Sequence, residues 1–338
     1  MDVLVLGAAG FLGLHVMHAL KPTHRVCGAH RRRTNTMLLR RAKVDRRYAD
    51  LDEPESLVQA MCDQDVVVHA AGHYPRHSLD PATAMSTGVR QTQSVLDAAA
   101  QAGVGRLVYL SSTATVASNP YGPADERHVF AKTPGFGTYH DLKWAMEQLV
   151  LKETRFETIV LCPAACIGAF DLRVGTSALL VATARGMQPE HPDGLVHIVD
   201  ARDVGQAVAL AVGARRPSPR LLVSGGTYDL HALLVTVSDR YAVRAPKAAL
   251  DAITAKRMAD QSETLALEQG GRSTMVREIV DLVVHAIPLD ASRICVELGQ
   301  SYRPLTETLD TFDAFARRMR FIPPLPAEKQ PVAPVSGT

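Results

Sequence analysis

Two hydrophobic patterns alternate along the first two thirds of the chain. Short runs with no polar break, such as Val3-Leu4-Val5-Leu6, read as strands buried on both faces, the signature of a parallel sheet. The same reading covers residues 25–30 (RVCGAH), 65–71 (DVVVHAA), 106–110 (RLVYL) and 220–223 (RLLV). Between these runs the period lengthens to that of helices. Residues 14–20, 53–61 and 141–151 fit, as does 88–103, with Val89, Val95, Leu96 and Ala99 on its apolar side and Gly103 as its stop. Residues 174–185 also look helical, and Asp203 is the expected cap of a helix over 204–212 after a strand at 196–199. Strand-helix alternation of this kind predicts an α/β fold built on a doubly wound parallel sheet. From 230 to 321 the pattern is mostly helical, with an apolar stripe at Met275, Ile279, Val280, Leu282, Val283, Val284 and Ile287. That stripe fits a packed helix of a smaller lobe, or the lining of an apolar pocket, better than a membrane-binding face. The end, residues 323–338, is Pro-rich and polar and is expected to be disordered.

Composition narrows the class. A chain of 338 residues that is 46% hydrophobic and 21% charged suits a soluble protein with one large domain and a smaller lobe. The net charge of +2 and a pI of about 8.3 are too near neutral to argue for a nucleic-acid partner. Five scattered cysteines make no disulfide framework and point to a reducing compartment. No apolar run approaches the roughly 18 residues of a membrane span. The first strand starts without a basic segment or cleavage site, so a cytoplasmic protein is expected.

The first strand runs into Gly7, Gly10 and Gly13, spaced three apart, and then into a helix. Such a turn offers backbone N–H groups at a helix start, where the dipole favours an anion and glycine lets a pyrophosphate approach. The motif follows a strand and opens a helix, the context in which it signals a dinucleotide. The second strand ends in Arg31-Arg32-Arg33, with no carboxylate before Asp45. An acid there would suit the ribose hydroxyls of NAD; an arginine suits the 2′-phosphate of NADP. Asp50 is open to two roles, capping the helix at 53–61 or touching the adenine. After the strand at 65–71 comes a loop with His73, Tyr74, Pro75, Arg76 and His77. Pro75 keeps the histidines off one helical face and no further ligand completes a set, so no metal is expected and the loop is read as the mouth of a substrate pocket.

The strand at 106–110 ends in the hydroxyl cluster Ser111-Ser112-Thr113-Ala114-Thr115. Tyr139 and Lys143 follow, four apart and so on one helical face. A free tyrosine titrates near pH 10, and a neighbouring ammonium favours its phenolate. A glycine turn, a strand-end hydroxyl cluster and a Tyr-x-x-x-Lys, in that order, form a specific combination.

These motifs (LGAAGFLG, YADLD, VVHAAG, RLVYLSSTATV, YHDLK, LCPAACIGAFD and HIVDARDVGQA) resemble the extended short-chain dehydrogenases/reductases of the epimerase/dehydratase superfamily. The flavour is that of dihydroflavonol reductase, cinnamoyl-CoA reductase and 3β-hydroxysteroid dehydrogenase. The likeness covers residues 1–230, and 297–321 more weakly. It implies a Rossmann-type NADP-binding core over 1–170, a mixed segment over 171–322 that completes the sheet and forms the mostly helical substrate lobe, and the tail. It also implies Tyr139 as acid/base, Lys143 as its partner and holder of the nicotinamide ribose, and Thr113, with Ser112 as neighbouring candidate, on the reacting carbonyl. By the same likeness Gly7, Gly10, Phe11, Leu12, Gly13, Arg31, Arg32, Asp50, Leu51, Ala70, Ala71, Gly72, Ser111, Pro163 and Cys166 border the cofactor, while His73, Tyr74 and Ile167 join Ser112 and Thr113 at the substrate. The sequence departs from the family at Gly88, where relatives carry a structural asparagine, and at Leu6 and Cys162, where threonine and arginine are common.

The resulting expectation is an NADP(H)-dependent enzyme that reduces a hydrophobic ketone, aldehyde or acyl derivative, or runs the reverse, as a monomer or homodimer. A sugar-nucleotide epimerase or dehydratase with bound NAD is the alternative; Ala114-Thr115 in place of an acidic pair and Arg31 in place of an acid count against it. A non-catalytic NADP-binding regulator comes third, because the Tyr139 and Lys143 pair is present.

Overall fold

The computed structural model describes residues 1–72, 77–271 and 273–324. Strand and helix alternate from the start: β1 (Asp2–Leu6), α1 (Phe11–Leu20), β2 (Arg25–His30), α2 (Met37–Arg41), β3 (Asp45–Tyr48), α3 (Pro54–Met61), β4 (Val66–His69), α4 (Pro81–Gln101) and β5 (Arg106–Leu110). A single 3-10 turn (Thr113–Thr115) precedes α5 (Thr138–Leu151) and β6 (Glu157–Pro163). There follow β7 (Ala165–Ile167), α6 (Ala178–Ala184), β8 (Leu195–Asp200), α7 (Ala201–Gly213), β9 (Arg220–Val223), β10 (Gly226–Asp229), α8 (Leu230–Tyr241), α9 (Ala252–Gln269), α10 (Arg277–Val284), α11 (Arg293–Leu298) and α12 (Leu305–Arg318).

Seven strands pair in the order β3-β2-β1-β4-β5-β6-β9, every pair parallel. The unbroken apolar runs are explained by helices on both faces. Leu14, Met17 and Leu20 of α1 with Val204 and Val208 of α7 cover one face. Leu57 and Met61 of α3, Val95 and Leu96 of α4, and Leu142 and Met146 of α5 cover the other. Strand order reverses between β1 and β4, which opens a crevice beyond their carboxyl ends. Beside this Rossmann-type sheet stand a three-stranded sheet, β10-β8-β7, and a helical C-terminal region, where Leu180, Leu233, Leu234 and Phe312 form a separate core. Met275 and Val280 of the apolar stripe pack against Ala255 and Ala259 of α9, and Val283 enters the lobe core. Among the described residues no helix is long and apolar enough to cross a membrane.

Several boundaries differ from the sequence expectation. Helix α4 begins seven residues before Gly88, because Pro81 occupies its first turn and the Asp80 carboxylate accepts from Thr83 N at 3.1 Å. Helix α7 is capped by Asp200, which accepts from Arg202 N at 2.8 Å. Asp203, the expected cap, instead accepts from Arg303 N at 2.9 Å and pairs with its guanidinium. Asp50 does not cap α3; its carboxylate accepts from Asp52 N at 3.2 Å, and Glu53 is the residue before the helix. Residues 171–177 form a loop, closed by the buried Asp171 accepting from Ser177 Oγ at 2.6 Å, so α6 is shorter than the helical pattern.

Candidate active site

The crevice floor is the turn from β1 into α1. Gly7 has φ +80°, and a Cβ there would stand 2.9 Å from Ala70 O and Ala71 N. Only glycine lets β1 and the end of β4 meet this closely. Gly10 is the residue before α1 and supplies no side-chain cap, so the N–H groups of Phe11, Leu12 and Gly13 are the unpaired first-turn donors of that helix. This bare helix start between Gly7 and Ala70–Gly72 fits a pyrophosphate.

Arg31 directly follows β2 and is exposed at the same sheet edge, close enough to Asp52 to favour its carboxylate. Arg32 lies over the Tyr48 ring at 4.6 Å and 3.9 Å from Glu53. Its guanidinium is already engaged. Asp50 and Leu51 stand in the turn after β3, whose backbone is pinned where Asp50 N donates to Ser56 Oγ at 2.9 Å.

The catalytic side chains gather where α5 meets the tip of β5. Tyr139 and Lys143 project from one face of α5, and the Tyr139 phenol lies within reach of the Ser112 hydroxyl, which favours its phenolate. Ser112 Oγ also accepts from Ala114 N at 3.2 Å, so its direction is set by the 3-10 turn. Thr113 is half-buried one residue further on. The structure thus joins Tyr139 to the neighbouring candidate Ser112. Lys143 Nζ donates to Leu110 O at 3.4 Å and lies 5.9 Å from the centre of the Tyr139 ring.

Electrostatics at the pair run against the simple expectation of a phenol lowered by lysine. Burial pushes the Tyr139 phenol above the ordinary tyrosine value, the Glu278 carboxylate adds to that push, and the Ser112 hydrogen bond draws it back. Burial also pulls the Lys143 ammonium below the ordinary lysine value, opposed by Glu278 and Glu147. Cys166 lies within electrostatic reach of both Tyr139 and Lys143, and burial holds its own thiol up to about 12. Ile167, one residue on, is buried in the lobe core. Pro163 closes β6 opposite Val223.

Two groups at the site were not anticipated. Glu278 comes from α10, a helix whose Asp281 meets Gly137 just before α5. The apolar stripe hid this carboxylate, although Glu278 and Asp281 interrupt it at helical spacing. Glu147, one turn after Lys143, has no exposed surface. It takes the Ser111 hydroxyl, turning that side chain behind the strand tip; the spacing Tyr139, Lys143, Glu147 was visible in the sequence as a third step along one helical face. His73 and Tyr74, expected at the substrate, lie outside the described residues. The loop that follows them is held at Ser78, whose N donates to the buried Glu263 at 2.7 Å and whose O accepts from Thr138 Oγ1 at 3.0 Å.

Comparison with known proteins agrees with this geometry. Residues 3–219 match the model of the NAD dependent epimerase/dehydratase family. The chain is 27% identical over 316 residues to the 4-hydroxy-2-methyl-3-oxo-4-farnesyl-3,4-dihydroquinoline-1-oxide ketoreductase of Stigmatella aurantiaca, covering 90% of this chain and 92% of that one. It is 27% identical over 245 residues to a decarboxylating sterol-4-alpha-carboxylate 3-dehydrogenase of Saccharomyces cerevisiae, covering 67% and 69%. In fold it is similar to a nucleoside-diphosphate-sugar epimerase from Pseudomonas aeruginosa, with a TM-score of 0.79 and 22% identity over 96% of this chain and 99% of that one.

Proposed function

The chain belongs to the NAD dependent epimerase/dehydratase family, and from that premise we propose that it is an NADP(H)-dependent carbonyl reductase, or the alcohol dehydrogenase of the reverse direction. One observation carries the reading: a phenol within reach of a strand-tip hydroxyl, with an ammonium alongside, at the edge of a glycine-lined crevice. The relatives named a ketoreductase and a 3-dehydrogenase support the reaction class.

Bound NADPH supplies the hydride that the chain itself lacks. The first-turn N–H groups of α1 would hold the pyrophosphate, Arg31 would take the 2′-phosphate, and Lys143 would hold the nicotinamide ribose. Ser112, with Thr113 beside it, donates to the carbonyl oxygen and fixes its position against the phenol. Tyr139 gives that oxygen its proton in reduction and removes it in oxidation. A small set of polar groups against an apolar lobe favours a hydrophobic ketone, aldehyde or acyl derivative, met by a cytoplasmic monomer or homodimer.

A sugar-nucleotide epimerase is the second reading, favoured by the likeness in fold to the Pseudomonas protein. A panel of ketones, aldehydes, acyl-CoA esters and UDP-sugars, assayed with NADPH and with NADH, separates the two. Oxidation of NADPH by a carbonyl supports reduction; epimerisation of a UDP-sugar without net cofactor turnover overturns it.

A further inference from the structure

Tyr139, Lys143 and Glu147 occupy successive turns of one face of α5, and the third goes where the first two do not. Tyr139 and Lys143 reach the front of the β5 tip, while the Glu147 carboxylate is enclosed behind it. One carboxylate oxygen, Oε2, receives the Ser111 hydroxyl and lies 2.7 Å from Thr115 Oγ1. The other, Oε1, accepts from Arg220 Nε at 2.7 Å. Arg220, only 5% exposed, then reaches the same turn with its remaining nitrogens. Its Nη2 donates to Thr115 O at 3.1 Å and to Thr115 Oγ1 at 2.9 Å, and its Nη1 to Glu126 O at 2.8 Å. Ser111 and Thr115 are the two ends of the segment that carries Ser112 and Thr113.

Resting on the reductase reading above, we propose that Glu147 is a positioning residue of the reaction: it bolts the β5 tip at Ser111 and Thr115, so that the hydroxyl between them meets the Tyr139 phenol. A purely stabilising role accounts poorly for such a pair. Burying both ions costs desolvation that their attraction barely returns, and apolar residues of the same size stabilise a core as well. The Ser111 hydroxyl is given to the carboxylate, and the Thr115 hydroxyl stands between two acceptors, 2.7 Å from Glu147 Oε2 and 2.8 Å from Ser112 O. The turn is only three residues long, closed by Thr115 N donating to Ser112 O at 3.2 Å and Val116 N to Thr113 O at 3.1 Å, and the Glu147–Arg220 pair ties it to the strand tip. Ser111 N, held by Leu161 O at 2.8 Å, fixes the strand side of the tip, and the carboxylate, together with Arg220 on Thr115 O, joins that side to the turn.

The test uses the full chain, NADPH and benzil as the probe carbonyl, with Glu147→Gln, Glu147→Leu, Thr115→Val and the Glu147→Gln/Thr115→Val double variant. For folded Glu147→Leu, kcat falls at least tenfold while KM for benzil and Kd for NADPH stay within twofold. The double variant turns over within twofold of Glu147→Gln alone, because both changes release the same turn. Hydrogen–deuterium exchange quickens in peptides spanning 111–116 and is unchanged in those spanning β1 and α1. A kcat within twofold of wild type, equal shifts in kcat and Kd, or multiplying effects in the double variant would overturn the proposal. If Glu147→Leu does not fold, Glu147→Gln decides on the same criteria. Should the wild-type chain reduce no carbonyl at all, the reductase reading falls. The positioning role is then judged on exchange alone: faster exchange at 111–116 in Glu147→Gln supports it and unchanged exchange refutes it.

Discussion

Gly88 of α4 faces Leu142 of α5 so closely that a Cβ at Gly88 would stand 2.5 Å from Leu142 Cδ1 and 3.1 Å from Met146 Sδ. Leu142 lies between Tyr139 and Lys143 in sequence and anchors their helix from behind. The residue that departs from its family is therefore a packing device. Ala at this position gains up to about 1 kcal/mol in helix propensity, against roughly 1–3 kcal/mol for overpacking a core contact. The contact wins. Gly88→Ala is expected to lower stability by about 1 kcal/mol, and Gly88→Asn by more, read as a lower urea midpoint at unchanged m-value.

The partnership of Tyr139 with Ser112 separates two hydroxyls that adjoin in sequence. Ser112→Ala is expected to lower kcat by about 100-fold, the usual loss for a donor aimed at a reacting oxygen. Thr113→Ala is expected to cost less, since Thr113 is the flanking group. Steady-state kinetics of the two variants with one carbonyl substrate decide the order; a larger loss at Thr113 reverses the assignment.

Glu278 sets the direction of a pH effect. Burial of the Tyr139 phenol and, after it, the Glu278 charge hold that phenol above its ordinary value, so alcohol oxidation, which needs the phenolate, rises with pH. Replacing Glu278 with Gln removes the charge and makes the phenolate less costly. The rising limb for oxidation and the falling limb for ketone reduction then both move to lower pH. Profiles of kcat/KM for wild type and Glu278→Gln in each direction measure this, and an unmoved limb would contradict it.

At the second strand, Arg31 and Arg32 have different tasks despite being adjacent. Arg32 is committed to Tyr48 and Glu53, whereas Arg31 stands at the sheet edge. Arg31→Ala is expected to raise KM for NADPH by about 10- to 100-fold, the worth of roughly 1.5–3 kcal/mol for a hydrogen bond to a charged group. KM for NADH stays as in wild type, and Arg32→Ala has the smaller effect. Unchanged use of NADPH by Arg31→Ala would remove the argument for a bound 2′-phosphate.

What could be read from the chain alone was what local pattern controls. Strands β5 and β9 begin and end as the apolar runs do, because a strand buried on both faces leaves no polar residue inside it. The glycine turn was legible for a similar reason, since Gly7 and Gly13 answer to contacts within the turn and with β4. Helix caps were less so: Asp200 and Asp203 are both acids at a helix start, and only the distant Arg303 decides which of them caps. Glu278 and Glu147 were missed for the same reason. Their roles come from α10 folding over α5 and from Arg220 crossing to the β5 tip, contacts between segments far apart in sequence.

The central claim is that the Tyr139 phenol moves the proton of the reaction. The direct measurement is single-turnover oxidation of NADPH by a carbonyl substrate in wild type and Tyr139→Phe, with Kd for NADPH taken from cofactor fluorescence on the same samples. The account predicts a rate lower by about 100- to 10,000-fold, the share supplied by a positioned acid, with Kd within twofold of wild type. A Tyr139→Phe enzyme that reduces the carbonyl at the wild-type rate would contradict it.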